Sequence, residues 1–591
     1  MIRLIVIRAI AGFTILSFVL TAATPEFEAR ANRIIDFQAH PNGPGGYATI
    51  AARLKRHENP EWCSNRLIEL LEGPIAGDMF WMYPVTAIAY LDRGQLSPAA
   101  RKTLRRAWKT YMPYRGDTEN HWLLYYTSLY LMAQLWPDEP GTDWYNGRSS
   151  AENLRESKEW IESWVKLTTT RGQGEYDSPQ YMCVYWLPMS YLAAWASDPA
   201  MKKRATMMLD YLIADYAPEN LDGTYVGAQS RVYDAQLFEK SSNAANDFGW
   251  LWFGLGKPLP FFDSFILWYT LASGYEPPEI LKKIATDRSR PYTHYERKRT
   301  RNRWRFEAEP HGNVYKTTYV RREYAVSSDQ GGLLQPVQQH SWDVTWSVPD
   351  AKGVHNTLFT VNPHSSIREL QTYFTFPPDV AVETVARSKK MYDSPDKFSG
   401  GSPYEKVFQD RDTVIVLYDM PDGARFPHVN GFFSKDLREV VEDKSGWIFA
   451  RGGDALIACR PLQPYSWKPI AGGGRRLFSQ YPKNGMVVQV AAASEFASMT
   501  TFEDAIRALP LDFALEPTPF VRFKSLRGAD LRFTYGQTPR IDGKLLDYKH
   551  WPLFGGPFLE AAVDSERLTI KHGNMRRELD FRALTVKDSG R

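Results

Sequence analysis

Two stretches of the chain gather side chains that can bind an anion and move a proton. The first is Thr118-Glu119-Asn120-His121-Trp122, where a loop enters a helical pattern. Asn and His both donate hydrogen bonds, and His also exchanges protons near neutrality. The same pair also reads as a helix cap beside a satisfied core histidine. The second stretch, Gly174-Glu175-Tyr176-Asp177-Ser178-Pro179-Gln180-Tyr181-Met182-Cys183-Val184-Tyr185, is a polar loop running into an apolar segment. Pro179 favours a helix start, so Tyr181 and Tyr185, four residues apart, project from one face near that start. Core packing is the other reading of two aromatics at that spacing.

Such residues act only where folded elements bring them together. From about residue 45 to 285 apolar side chains recur at helical spacing in 50–57, 63–71, 83–92, 99–111, 121–136, 150–168, 181–196, 201–216 and 259–272, with a kink expected at Pro188. Short polar turns between several of these segments favour antiparallel neighbours, hence an array of helical hairpins. Between Thr286 and Arg305 the chain turns basic and polar, which places a linker at 291–310. Short alternating segments follow at 314–320, 413–418, 447–450, 486–491, 520–523 and 531–535, the pattern of an antiparallel β-sandwich. The expected fold class is α+β multidomain: an (α/α) toroid of helical hairpins over 24–290, then a β-sandwich over 311–591. Closure of the hairpins into a ring rests on helix number and on the resemblance described below.

Composition narrows the function. Hydrophobic residues at 43% and charged residues at 24% are ordinary for globular proteins and exclude a disordered or membrane-embedded chain. The net charge of +4 is too small for a dedicated nucleic-acid protein, while a local basic groove for an acidic polymer stays open. Residues 1–23 read as an export signal: Arg3 and Arg8 precede and enter an apolar run that ends at Thr21-Ala22-Ala23. The expected location is periplasmic or secreted, without stable membrane association after cleavage; a retained N-terminal anchor is the alternative. Cys63, Cys183 and Cys459 lack metal-ligand spacing and allow at most one intramolecular disulfide. Aromatic residues make up 14% of the chain, and aromatic faces stack on sugar rings as well as filling cores. Trp122, Trp186, Trp250 and Trp252 are candidates to line a sugar cleft.

Asn120-His121, followed by Glu175, Ser178-Pro179, Tyr181 and Tyr185, resembles the pattern of the toroid-plus-sandwich polysaccharide lyases, which include alginate lyases, heparinase II/III-like enzymes and glucuronan lyases. The resemblance implies that Asn120 and His121 neutralise a uronate carboxylate and that Tyr181 or Tyr185 is the catalytic phenol. The reaction would be β-elimination on an acidic polysaccharide, with no cofactor required. Removing the proton beside a carboxylate builds an enolate-like charge, so hydrogen-bond donors and a cation must face it. A Tyr base also needs its pKa lowered by a nearby cation. In Gly227-Ala228-Gln229-Ser230-Arg231-Val232-Tyr233, Arg231 is the candidate cation, Tyr233 a further phenol and Gln229 a substrate contact. Glu175 is placed to orient His121 or Arg231. Gln338-Gln339-His340-Ser341-Trp342-Asp343 resembles the segment in which heparinase-like lyases place another His at the domain interface, sometimes near zinc. Gln338 stands where those proteins often carry a second His, which counts against a divalent metal at His340, Asp343 and His355.

The sequence also fits two rival readings. A toroid glycoside hydrolase would use paired carboxylates drawn from Glu119, Glu175, Asp177 and Asp247. A non-catalytic carbohydrate-binding protein would use none of them chemically. Walker, HExxH and GxSxG motifs are absent from the sequence. Alginate, glucuronan and a glycosaminoglycan all fit as substrate.

Overall fold

A computed structural model describes residues 23–590 except 114–117, 259, 261, 263, 273, 303–311, 331–337, 350–352 and most of 372–389. The expected export signal therefore lies almost wholly outside the described residues. An N-terminal helical region is followed by an antiparallel β-sheet region. Among the described residues no helix is long and apolar enough to cross a membrane.

Local sequence sets the helix starts. Helices Pro25–Ala39, Pro98–Thr110 and Pro199–Tyr216 each begin with Pro behind Thr24, Ser97 or Asp198, whose side chains accept a first-turn N–H. Ser149 and Glu152 close a reciprocal capping box on Ser150–Arg171. Glu119–Leu135 and Met182–Trp195 are buried nearly all round, so they are central helices rather than amphipathic surface ones. Glu119–Leu135 packs against Met82–Leu91, Met182–Trp195 and Ser150–Arg171. Tyr47–Arg56 touches Met82–Leu91, and Ser264–Ala272 touches both Met182–Trp195 and Tyr47–Arg56. Pro188 sits inside Met182–Trp195, which continues on both sides of it.

The largest sheet has nine strands in the order Ser466–Pro469, Arg475–Ser479, Val429–Phe433, Thr357–Val361, Trp342–Trp346, Tyr324–Gln330, Asn313–Val320, Tyr292–Arg299 and Phe554–Gly555. A six-stranded sheet built on Thr413–Asp419, Lys483–Ala492 and Ala455–Pro461 lies against it. Strand periodicity explains its apolar run: Val414, Val416 and Tyr418 join the core shared with the nine-stranded sheet, while Ile415 and Leu417 face a second core. That second core is covered by the helix Met499–Arg507 and a five-stranded sheet that includes Phe520–Lys524 and Asp530–Thr534.

Two expectations need correction. The basic stretch assigned to a linker contains Tyr292–Arg299, paired along its whole length with Asn313–Val320. Its charges looked solvent-exposed, but Lys298 and Arg299 are buried against carboxylates from the helical region. The C-terminal end also departs from the single sandwich expected over 311–591: Phe554–Gly555 closes the edge of the nine-stranded sheet, but the last four strands, from Leu559–Glu560 to Thr585–Ser589, form a sheet of their own. Phe554 and Phe581 meet Tyr211 edge-on, and Arg577 pairs with Asp210 at 2.8 Å, so this end of the chain folds back onto the helices. Cys63, Cys183 and Cys459 are all buried and free, and no disulfide forms.

Candidate active site

The two stretches singled out in the sequence meet. The first turn of Glu119–Leu135 lies beside the loop 172–181, which leads into Met182–Trp195. Glu175 is fully buried and accepts from the Asn120 backbone N–H at 2.9 Å and from Asn120 Nδ2 at 2.5 Å. Arg231 Nη1 reaches the other Glu175 oxygen at 2.7 Å, and Arg301 Nη1 reaches it at 3.2 Å. Burial alone would raise the Glu175 pKa, but the two guanidinium groups and the Asn120 donors outweigh it and hold the carboxyl at about 2. Glu119 plays a parallel part, accepting from Arg299 Nη2 at 2.5 Å, Trp164 Nε1 at 2.8 Å and the Glu175 N–H at 3.0 Å.

Thr118 fixes the protonation geometry of His121. Its hydroxyl accepts from Asn120 Nδ2 at 2.6 Å and from Arg231 Nη1 at 3.0 Å, and lies 2.9 Å from His121 Nδ1. With both lone pairs engaged, the hydroxyl proton goes to His121 Nδ1, so a neutral His121 carries its own proton on Nε2. His121 is thereby a donor. Asn120 differs from expectation, because its amide protons are held by Glu175 and Thr118. Its Oδ1 has no hydrogen-bond partner among the described residues, so Asn120 offers an acceptor.

The phenols come from three elements. Tyr181 precedes Met182–Trp195, Tyr233 caps Asp234–Phe238, and their hydroxyls lie 3.1 Å apart. The Arg231 guanidinium covers the Tyr181 ring at 4.1 Å from its centre. Ser178 Oγ locks this arrangement, donating to the Arg231 carbonyl at 2.6 Å and accepting the Tyr181 N–H at 3.1 Å. Tyr181 and Tyr233 are partly exposed, whereas Asn120, His121, Glu175 and Arg231 are buried, so these two phenols form the solvent-facing edge of the network. Burial pushes the Tyr181 pKa up to about 12, more than the pull of Arg231 lowers it. The expected cation-lowered phenol is therefore not found at Tyr181 in the resting protein. Tyr392, from the turn Lys390–Asp393, is a third phenol that sequence reasoning missed. It lies near enough to Arg231, Tyr233 and Tyr181 to share their electrostatics, and burial raises its pKa. It belongs to no motif and lies more than two hundred residues from Tyr181, so only the fold could reveal it.

Several other sequence candidates lie in the interior. Tyr185 is fully buried, stacked on Trp164 and donating to Glu175 at 3.3 Å, which makes it a support for Glu175. Trp186 packs among Tyr216, Phe248 and Trp252, and Trp122 against Trp160, so both are core residues. Trp250 packs on Phe262 with the Arg33 guanidinium over its ring, and is also buried. Gln229 is fully buried, paired through its backbone to His340. His340 is buried too: its Nε2 lies 2.8 Å from Asp343 Oδ2, its ring stands edge-on to Phe359, and burial lowers its pKa. Asp343 is also ion-paired to the Lys240 ammonium. An ammonium thus stands where the resemblance would place a divalent metal, and His355 packs instead near Phe238 and Phe432. Gln338, in the position of the missing His, accepts from Arg231 Nε at 3.1 Å.

The four carboxylates of the hydrolase reading are all buried. Asp177 is held by Lys316 Nζ at 2.5 Å and Lys298 Nζ at 3.2 Å, which removes it from any open cleft. Asp177, Glu219 and Glu296, and separately Asp215, His294 and Glu296, place potential ligand atoms within 4.8 Å of one another. The first triad surrounds the Lys316 ammonium, and Lys298 contacts both Asp215 and Glu296, so lysines already supply positive charge there. No family model matches the chain, and no curated protein is significantly similar to it.

Proposed function

We propose that this protein is an exported polysaccharide lyase that cleaves a uronic-acid polymer by β-elimination. The observation that carries the reading is the Tyr181–Tyr233 hydroxyl pair, 3.1 Å apart at the exposed edge of the buried Asn120–His121–Glu175–Arg231 network. The cyclic adjacency of the central helices supports an (α/α) toroid, and the core shared by the two large sheets supports a β-sandwich.

In this reading the substrate carboxyl group sits against His121 and Asn120. His121 Nε2–H donates to one oxygen. Asn120 Oδ1 accepts only from a protonated carboxyl, so it favours the neutral acid and weakens the hold on the neighbouring proton. Tyr233 acts as phenolate base on the carbon bearing the carboxyl. The electron pair left behind becomes a carbon–carbon double bond as the adjacent bond to the glycosidic oxygen breaks. Tyr181, which retains its proton, gives it to the departing oxygen. Arg231, fixed by Glu175 and Gln338, supplies positive charge beside both phenols. The Glu175 carboxyl, held at about 2, stays ionised and is unsuited to the general-acid step of a hydrolase.

The test is ultraviolet absorbance of unsaturated uronates during incubation with alginate, glucuronan, hyaluronan, chondroitin and heparan sulfate. A rise on one polymer that is lost in Tyr181→Phe is expected. New reducing ends without absorbance would replace this reading with hydrolysis.

A further inference from the structure

The segment that carries Arg231 is held from both sides. On one side the Tyr176 carbonyl accepts the Ser230 N–H at 3.1 Å and the Ser230 hydroxyl at 2.7 Å. On the other, Gln229 and His340 exchange backbone hydrogen bonds at 3.0 and 2.8 Å, and the Val232 N–H donates to the Gln338 carbonyl at 2.8 Å. The Gln338 side chain accepts from Arg231 Nε at 3.1 Å. These two flanking segments are anchored on a single atom. Asp329 Oδ2 accepts from the Tyr176 hydroxyl at 2.7 Å and from Gln339 Nε2 at 3.3 Å. Asp329 lies in Tyr324–Gln330 of the nine-stranded sheet, its backbone N–H donates to the Ser341 carbonyl at 2.7 Å, and both Asp329 and Tyr176 are buried.

Backbone strain marks the same two segments. Asp177, next to Tyr176, has φ 50°, and Gln338, next to Gln339, has φ 60°. A residue with a Cβ avoids this left-handed region and stays there only where surrounding contacts over-determine the chain. For Asp177 those contacts include Lys298 and Lys316; for Gln338 they are Arg231, Val232 and, through Gln339, Asp329. We propose that Asp329 and Tyr176 are positioning residues that set the Arg231 guanidinium against Tyr181 and Tyr233 without touching substrate. This rests on the lyase reading, in which Arg231 supplies the positive charge that lets Tyr233 act as a phenolate base. It makes an acid of the sheet region the fixed point from which a cation of the helical region is aimed.

The experiment is the pH profile of kcat/KM for wild type, Tyr176→Phe, Asp329→Asn and Asp329→Leu on the polymer that the absorbance test selects, with a melting temperature for each protein. Tyr176→Phe removes one hydroxyl and releases the loop from its anchor. It should lower kcat about tenfold with little change in KM. The acid limb of the profile, which reports the base, should also move to higher pH, because a displaced guanidinium favours the phenolate less. Asp329→Leu should do the same. Asp329→Asn keeps an acceptor for Tyr176 and Gln339, its amide nitrogen replacing Oδ1, which has no partner among the described residues, so it should restore the position of the limb. A lower melting temperature in Tyr176→Phe with the limb unmoved would show a bond that serves the fold alone and overturn the proposal. A limb displaced equally in Asp329→Asn and Asp329→Leu would overturn the part assigned to Asp329. A wild type inactive on every polymer would end the lyase reading and this inference with it, whereas an active wild type with an unmoved Tyr176→Phe ends the inference alone.

Discussion

At the scale of single residues, the hydroxyl of Thr118 matters as much as the groups that would touch substrate. It gathers Asn120 and Arg231 as donors and thereby directs its own proton to His121. Thr118→Val keeps the shape but leaves two donors unmatched and the His121 tautomer unset. A loss of kcat of about tenfold or more is expected, read from initial rates on the polymer that the absorbance test selects. Equal rates in Thr118→Val would remove the tautomer argument. Tyr181→Phe and Tyr233→Phe each delete one hydroxyl at the exposed edge, so each should lower kcat by about 100- to 10,000-fold with little change in melting temperature. Tyr185→Phe is the control, since its hydroxyl is fully buried, donates to Glu175 and stands away from the exposed phenol edge. If Tyr185→Phe proved as inactive as Tyr181→Phe, the assignment of roles between the two would be wrong.

At the scale of elements, the loop 172–181 couples the helices to the first long strand of the sheet region. Gly172 ends Ser150–Arg171 at φ 91°, and a Cβ there would lie 2.2 Å from the Arg297 carbonyl oxygen. Gly172→Ala therefore forces the loop away from the strand Tyr292–Arg299 and should destabilise the protein by about 1–3 kcal/mol, measurable by urea unfolding. An unchanged midpoint would mean that the loop and strand are not held together as described. The helices and strands themselves were largely legible in the sequence. The spacing at 121–136 and 150–168 corresponds to Glu119–Leu135 and Ser150–Arg171, and the run 413–418 to Thr413–Asp419. Legibility ended where long-range contacts decide the outcome. Lys298 and Arg299 read as a solvated linker because their counter-charges, Asp215 and Glu119, are far away in sequence. Tyr185 and Trp186 looked like site residues because spacing places side chains on a helix face but does not say which face meets the core. Asn120, His121, Glu175, Arg231, Tyr181 and Tyr233 do converge, and Tyr392 joins them only through the fold.

At the scale of the whole molecule, a buried ionic cluster joins the two regions, and its charge balance makes stability depend on pH. Asp177, Asp215 and Glu219 come from the helical region, and Glu296, Lys298, Lys316 and Asp329 from the sheet region. Lys298 and Lys316 bridge them, Lys316 Nζ lying 2.5 Å from both Asp177 and Glu219. Carboxylates outnumber ammonium groups here, so some acids must keep their protons in the folded state. Burial raises Glu219 from 4.5 and Asp329 from 3.8, each to about 8. In the unfolded chain both lose their protons near the ordinary values, so between those values and about 8 the folded protein binds more protons than the unfolded one. Stability then falls as pH rises through that window and levels off above it. Glu175 acts in the opposite sense: its contribution is complete above 4.5 and is lost only as pH falls through about 2, outside this window. Glu219→Gln imitates the protonated acid, and should flatten the decline of melting temperature between about pH 5 and pH 8 while leaving Tyr181 and Tyr233 in place. Parallel pH profiles for the wild type and Glu219→Gln would falsify proton retention at Glu219. A flatter profile would identify the cluster as a junction held together by retained protons as well as by lysines, so that raising the pH to favour a phenolate base also loosens the region that positions it.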